Sequence, residues 1–342
     1  MAQEHLTYFN VANFKRFDAL ELTDIGQFNL IVGDNNVGKT SLLEAISVVS
    51  RTEPNIPFHS EIIGNLGHTI YRRNIVIDQN VDLFFKYLSH NLGEQVGFNF
   101  CINDKRFAAF ARQSKDSRDQ MEFCFFEVDY MTAGWVPTSL VYNIKNPSLI
   151  PANIEVNDTL VVGYQEALGL SMSNKRLIIN NLTSIDKHIV EIEVLPVLAK
   201  NHVMIGFDNR DLFMPITAMG ESAVRVFYYL LHIIKNSNQR LLIDEIDTGI
   251  HYSRLKKFLK NIVQIAEKNG VQLFMTTHSL ECQQLFVELF EDPDMVEHQS
   301  KARQFTLIEK PDGQVVVNTH NFKQLQHALE IGFETRGGKP GW

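Results

Sequence analysis

Gly33-Asp34-Asn35-Asn36-Val37-Gly38-Lys39-Thr40-Ser41 sets two glycines ahead of a lysine and two hydroxyls, in full agreement with the pattern GxxxxGK[ST]. The glycines let the backbone turn tightly enough for successive N–H groups to face one anion. A helix starting near Lys39 adds its N-terminal dipole toward the same target. Lys39 is placed to reach the β- and γ-phosphates of a nucleotide, and Thr40 to ligate Mg²⁺. The spacing therefore predicts an ATP-binding P-loop, with Gly33, Asn35, Asn36, Val37, Gly38, Lys39, Thr40 and Ser41 as the contacts.

Leu241-Leu242-Ile243-Asp244-Glu245 is an apolar strand ending in two acids. Downstream of a P-loop it reads as a Walker B motif: Asp244 holds Mg²⁺, through water, and Glu245 polarises the attacking water as general base. Two solvated acids at a strand end are the plainer alternative. Thr276-Thr277-His278-Ser279 follows the next apolar strand, which makes His278 a γ-phosphate sensor or, more simply, part of a helix cap built on Ser279. Between these motifs lies Ala218-Met219-Gly220-Glu221-Ser222, just before a helix. An ABC-type ATPase carries its signature loop there, a helix N-terminus offered to the ATP of a second subunit. An ordinary N-cap with Gly220 is the alternative.

These residues need elements to hold them. Phe28–Val32 is a compact apolar run ending at Gly33, and from Thr40 the positions Leu42, Leu43, Ala45, Ile46 and Val49 have helical spacing. Strand, glycine loop and helix are thus contiguous. Leu6–Val11 and Ala19–Leu22 read as short strands ahead of them. After residue 200 a hairpin is expected from Val203–Phe207 and Phe213–Thr217 around Asp208–Asp211, then a helix over Glu221–Lys235. Strand Arg240–Asp244, helix Tyr252–Asn269, strand Val271–Thr276 and a helix from Ser279 alternate as βαβα, which implies a parallel sheet covered by helices. A hairpin around Pro311-Asp312-Gly313 and the helix Phe322–Ile331 close the chain.

The middle is less regular. Ile75–Leu92 has the apolar content of a helix; Val96–Ile102, Phe107–Ala111, Met121–Tyr130 and Ser139–Ile144 look like strands, and Asn153–Leu168 opens another helical section. The expected fold class is α/β, a P-loop NTPase with an ABC-type ATPase core of mixed sheet flanked by helices, plus an α+β insertion. Residues 1–50 and 201–336 form the two parts of that core. Residues 51–200 hold the insertion with part of the core, and 337–342 are a tail.

The 342 residues carry 32 basic and 40 acidic side chains, a net charge of -8 that argues against a broadly basic nucleic-acid surface but not against a local groove. Cys101, Cys124 and Cys282 lie far apart without CxxC spacing and read as reduced thiols. The start lacks signal-peptide character and no apolar run reaches the ~20 residues of a membrane span, so a cytoplasmic protein with no membrane partner is expected.

With its four motifs in this order the chain resembles the SMC/RecF-like branch of ABC ATPases, especially the ATPase module of the OLD (overcoming lysogenization defect) family. Asn13-Phe14-Lys15-Arg16-Phe17 is similar to that branch's opening, which implies a place for Lys15 and Arg16 near the adenine and ribose. Asp244–Ser253, Thr277-His278-Ser279 with Glu281-Cys282, and Ala328–Arg336 match further family motifs. The likeness covers roughly residues 5–50 and 200–336. Met219 and Glu221 depart from the family's serine and second glycine in the signature loop. The glutamine loop has no clear position beyond Gln79.

The resemblance implies ATP-driven assembly into a homodimer or higher oligomer, with Met219, Gly220, Glu221 and Ser222 completing the site of a partner copy. Family members proper continue into a Toprim nuclease domain, whereas this sequence stops six residues after Arg336. The expectation is a stand-alone ATPase of the anti-phage type, acting as sensor or switch for a separately encoded effector such as a Toprim-type nuclease. A RecF-like DNA-repair ATPase acting directly on nucleic acid is the alternative, motivated by the short basic clusters Lys15-Arg16, Arg72-Arg73 and Arg254 with Lys256-Lys257. A scaffold that binds ATP without turnover has no need of Glu245. GTP is disfavoured because no NKxD motif follows the P-loop.

Overall fold

The computed structural model describes residues 5–50, 94–114, 121–127, 136–138, 149–151, 159–171, 173–183, 185–197 and 200–333, with positions 62, 66, 88–91 and 335. Three sheets organise it. The first is antiparallel, in the order β2-β1-β4-β5-β6-β7, from β1 (Leu6–Phe14), β2 (Phe17–Leu22), β4 (Val96–Ile102), β5 (Lys105–Gln113), β6 (Met121–Glu127) and β7 (Val136–Thr138). The second is the central sheet, β15-β14-β3-β13-β12-β8, from β3 (Phe28–Gly33), β8 (Leu149–Ile150), β12 (Arg240–Ile243), β13 (Gln272–Thr276), β14 (Ala302–Glu309) and β15 (Val315–Asn321). Its pairs are parallel except β14 with β15. The third, β11-β10-β9, is antiparallel and comprises β9 (Ile189–Val197), β10 (Lys200–Phe207) and β11 (Arg210–Pro215).

The central strands are covered on both sides, which their continuous apolar sequences require. Side-chain alternation sends neighbouring residues to different cores. Leu30, Val32, Leu241, Ile243, Leu273 and Met275 enter a cluster built with the helices α2 (Thr159–Leu170), α4 (Glu221–Lys235), α5 (Tyr252–Lys268) and α6 (Leu280–Glu291). Ile31, Leu242 and Phe274 face the opposite way, toward α1 (Lys39–Val48) and the antiparallel sheet. Helix α1 is buried from Leu42 through Val48, wedged between the two sheets.

Most of the expected elements are present, and the pairing adds what periodicity cannot carry. The strands at 96–138 extend the antiparallel sheet from β1, and β8 lies beside β12 in the central sheet. Helix α3 (Ser173–Leu182) and strand β9 had no counterpart in the expectation. The hairpin after residue 200 has a tighter turn than expected: Phe207 pairs with Arg210 around Asp208-Asn209, and β11 ends at Pro215. Ile216–Met219 is a 3₁₀ turn instead of strand, because Pro215 has no N–H to continue a ladder. Most of the Ile75–Leu92 segment, together with Gln79, Arg72, Arg73 and Ser139–Ile144, lies outside the described residues. No described helix is long and apolar enough to cross a membrane.

Past α7 (Phe322–Glu330) the chain turns inward at Thr335, which is 1% exposed. Its Oγ1 donates to Gln283 Oε1 of α6 at 2.7 Å, and its carbonyl accepts from Thr306 Oγ1 of β14 at 3.0 Å.

Candidate nucleotide-binding site

The C-terminal ends of β3 and β12 open onto one cleft, as ligand sites do in sheets of parallel strands. Arg16, Asn35, Asn36, Gly38, Lys39, Thr40, Ser41, Asp244 and Glu245 line it, around a volume of about 520 Å³. Gly33 and Val37 shape the loop from beneath. A Cβ on Gly33 would stand 2.7 Å from Val37 Cγ1 and 2.9 Å from the Leu307 carbonyl oxygen. Gly38, at φ +111°, caps α1 in a conformation that L side chains rarely adopt, and a Cβ there would meet the Phe17 ring at 2.9 Å. Lys39 Nζ donates to the carbonyls of Gly33 at 2.8 Å and Asp34 at 2.9 Å, which holds the ammonium over the loop. Burial pushes its pKa down, against the pull of Asp244 and Glu245.

The Walker B acids are fixed by β13. Strands β12 and β13 pair in register, Ile243 beside Met275, so Thr276 stands next to Asp244. Thr276 Oγ1 donates to Asp244 Oδ1 at 2.7 Å and accepts the Glu245 N–H at 2.8 Å. Glu245 has φ +49°, a left-handed conformation that costs energy in a residue with a side chain. The turn closes with Thr248 N–H donating to the Glu245 carbonyl at 3.0 Å, and Thr248 Oγ1 donates to Glu245 Oε2 at 3.0 Å. Asp244 is 9% exposed; burial pushes its carboxyl pKa up, opposed by the hydroxyls of Thr276 and Thr40.

The donor set fits Mg²⁺. Thr40 Oγ1 donates to Asp244 Oδ2 at 2.9 Å, so a hydroxyl and one carboxylate converge at the mouth of the loop. Magnesium takes hard oxygens, usually one or two carboxylates completed by water and substrate phosphates. Among the described residues no three His, Cys, Asp or Glu side chains cluster as a protein-only metal cage would demand.

Other expected residues sit elsewhere. Lys15 Nζ is paired with Glu44 Oε2 of α1 at 2.5 Å, and both side chains are nearly buried. It braces α1 against the turn after β1 and is not among the residues lining the cleft, while the family resemblance implied a place near the adenine. Arg16 does reach the rim, where Glu309 pairs with it. His278 is exposed just past β13 and is not among the cleft's lining residues. Ser279 caps α6 by accepting the Cys282 N–H at 3.1 Å. The loop Met219–Ser222 lies outside the cleft too, at the N-terminus of α4, with Ser222 Oγ donating to the Gly249 carbonyl at 3.0 Å. Thr276 and Thr248, which hold Asp244 and Glu245, were given no role in the motif reading; the signal available for Thr276 was a hydroxyl at the last position of an apolar strand.

The chain is similar to several known proteins. A family model described as "AAA domain, putative AbiEii toxin, Type IV TA system" matches residues 28–282. An "ATP/GTP phosphatase" of Helicobacter pylori is 23% identical over 367 aligned positions, covering 94% of this chain and 96% of that protein. The DNA replication and repair protein RecF of Oceanobacillus iheyensis is 41% identical over 46 residues, which is 14% of this chain and 12% of RecF. In fold, the chain is similar to an SMC head solved with the C-winged helix domain of ScpA. The TM-score is 0.55 at 10% identity, over 93% of this chain and 99% of that one.

Proposed function

Since the chain belongs to this AbiEii-type AAA-domain family, and is an ATPase with an SMC-head-like fold, we propose that it is an ATP-dependent switch that works as a dimer. The observation behind this reading is a division of labour within one chain. Lys39, Thr40, Asp244 and Glu245 line an open cleft, while the loop Met219–Ser222 presents a helix N-terminus away from it. Each half suits what the other lacks. In the proposed cycle two copies close around two nucleotides, the loop of one capping the γ-phosphate held by the other.

Within a closed site, the loop N–H groups and Lys39 bind the β- and γ-phosphates, with Asn35, Asn36 and Ser41 beside them. Arg16 lies on the nucleotide's outer side. Thr40 and Asp244 would hold Mg²⁺, which supplies charge neutralisation between the phosphates. Glu245 orients the attacking water and takes its proton, and His278 approaches the γ-phosphate on closure. The Helicobacter relative is named for both ATP and GTP, so both nucleotides belong in the assay.

The switch is proposed to control a separately encoded effector, such as a Toprim-type nuclease, in bacterial anti-phage defence in the cytoplasm. Supporting this reading, the SMC head that the fold resembles was solved holding a domain of another protein. The decisive experiment is light scattering on Glu245→Gln with and without ATP. This variant is expected to accumulate as an ATP-bound dimer. A monomer at micromolar protein and saturating ATP would sink the dimer reading, while leaving nucleotide binding untouched.

A further inference from the structure

Glu221 poses a problem for a loop that is to receive a phosphate. It is the first residue of α4, its side chain is 62% exposed, and its charge has the same sign as the ligand. One turn into the helix lies Arg225, 3% exposed overall. Its Nε and Nη2 donate to the same Glu221 oxygen at 2.9 and 2.7 Å. A guanidinium carries five donors and is not buried without a counter-charge, so this pair neutralises both members.

The pair is also pressed against the segment that follows the general base. A Cβ on Gly249 would stand 2.8 Å from Glu221 Cδ and 2.9 Å from Arg225 Nε, and Gly249 itself has φ +73°. Ser222 Oγ donates to that same glycine's carbonyl. Glu221 is therefore drawn inward onto Gly249 by a cation beneath the loop. The other side of the guanidinium lies against the buried Tyr229 hydroxyl, which interacts with it electrostatically.

We infer that Arg225 is the positioning residue that makes the Gly220–Ser222 loop fit to receive the terminal phosphate of a nucleotide bound by a second copy, by cancelling and tethering the Glu221 carboxylate. The inference deepens the dimer reading and rests on it. Arg225 touches no nucleotide; it acts through Glu221. Without it a free carboxylate stands at the helix N-terminus, where the dipole and the N–H groups would otherwise favour an anion. Like charges facing each other across an interface suppress association.

The test is a double-mutant cycle in the Glu245→Gln background, read as the ATP-dependent dimer dissociation constant by light scattering or analytical ultracentrifugation. Dimerisation of the Glu245→Gln protein establishes the dimer reading first, so the two ideas fail separately. Adding Arg225→Gln should weaken the dimer on the order of tenfold or more, and adding Glu221→Gln as well should bring it back to within about threefold. Arg225→Lys, which keeps the charge, should stay close to the parent and carries the argument if Arg225→Gln does not fold. The inference is overturned if the double variant is as weak as Arg225→Gln alone, if Arg225→Gln dimerises normally, or if Arg225→Lys loses dimerisation as fully as Arg225→Gln.

Discussion

Thr276 and Asp244 share a 2.7 Å hydrogen bond across two parallel strands, and the same threonine oxygen accepts the N–H of Glu245. One hydroxyl thus sets the direction of the carboxylate expected to hold Mg²⁺ and anchors the strained residue expected to activate water.

Replacing Thr276 by Val should cost more turnover than affinity. Removing a partner that orients a metal ligand typically costs about 10- to 100-fold in activity or metal affinity. We expect kcat to fall within that range with KM for ATP changed less than about threefold. The buried Asp244 oxygen left unsatisfied should lower stability by about 1–3 kcal/mol, read from urea unfolding. An unchanged kcat would mean that Glu245 does not depend on this anchor.

Gly38→Ala should lose nucleotide binding. The methyl must enter a left-handed position and meets the Phe17 ring at 2.9 Å, at a backbone cost of about 1–3 kcal/mol. Calorimetry with a non-hydrolysed ATP analogue should show affinity at least about tenfold weaker. Shortening the ring with Phe17→Leu relieves the contact but not the dihedral, so it should restore only part of the loss.

Chelating divalent cations should stop hydrolysis, and Thr40→Val should raise the Mg²⁺ concentration for half-maximal rate on the order of tenfold. The assay is a phosphate-release titration at fixed ATP. Asp244→Asn should be more severe, because it removes the charge as well as an oxygen donor. Turnover at full rate in EDTA would exclude this arrangement.

Stability should fall with acidification through two half-buried histidines. Burial holds the pKa of His5 and of His320 below the ordinary value of 6.5, with a hydrogen bond from the ring of His5 to the Gly270 carbonyl acting the other way. Below about pH 6.5 the unfolded chain takes up protons that the folded chain refuses, so stability present at neutral pH is lost as pH drops toward the folded-state values. Urea midpoints at pH 7.5, 6.5 and 5.5 should decline, and His320→Gln should flatten the decline. Equal slopes for the variant and the parent would remove His320 from the account.

Residues close in sequence were legible, because their chemistry is written in order: Gly33–Ser41 supplies its own loop, and Asp244-Glu245 follows its own strand. Contacts made by strand pairing were not. Nothing local says that Thr276 will stand beside Asp244, or that Val96–Ile102 will pair with β1. Lys15 shows the same limit from the other side: its place in a motif pointed to the nucleotide, and nothing local announced its pairing with the buried Glu44. Glu221 and Arg225 stand four apart at the start of a predicted helix, so their pairing was legible, but not that the pair would press against Gly249.

The inward turn at Thr335 makes one buried side chain a clasp between two elements. Gln283 sits one helical turn beyond Ser279, and Thr335 grips it while also gripping β14, the neighbour of the P-loop strand. The segment after α7 is therefore fastened at once to α6, which Ser279 caps, and to the central sheet.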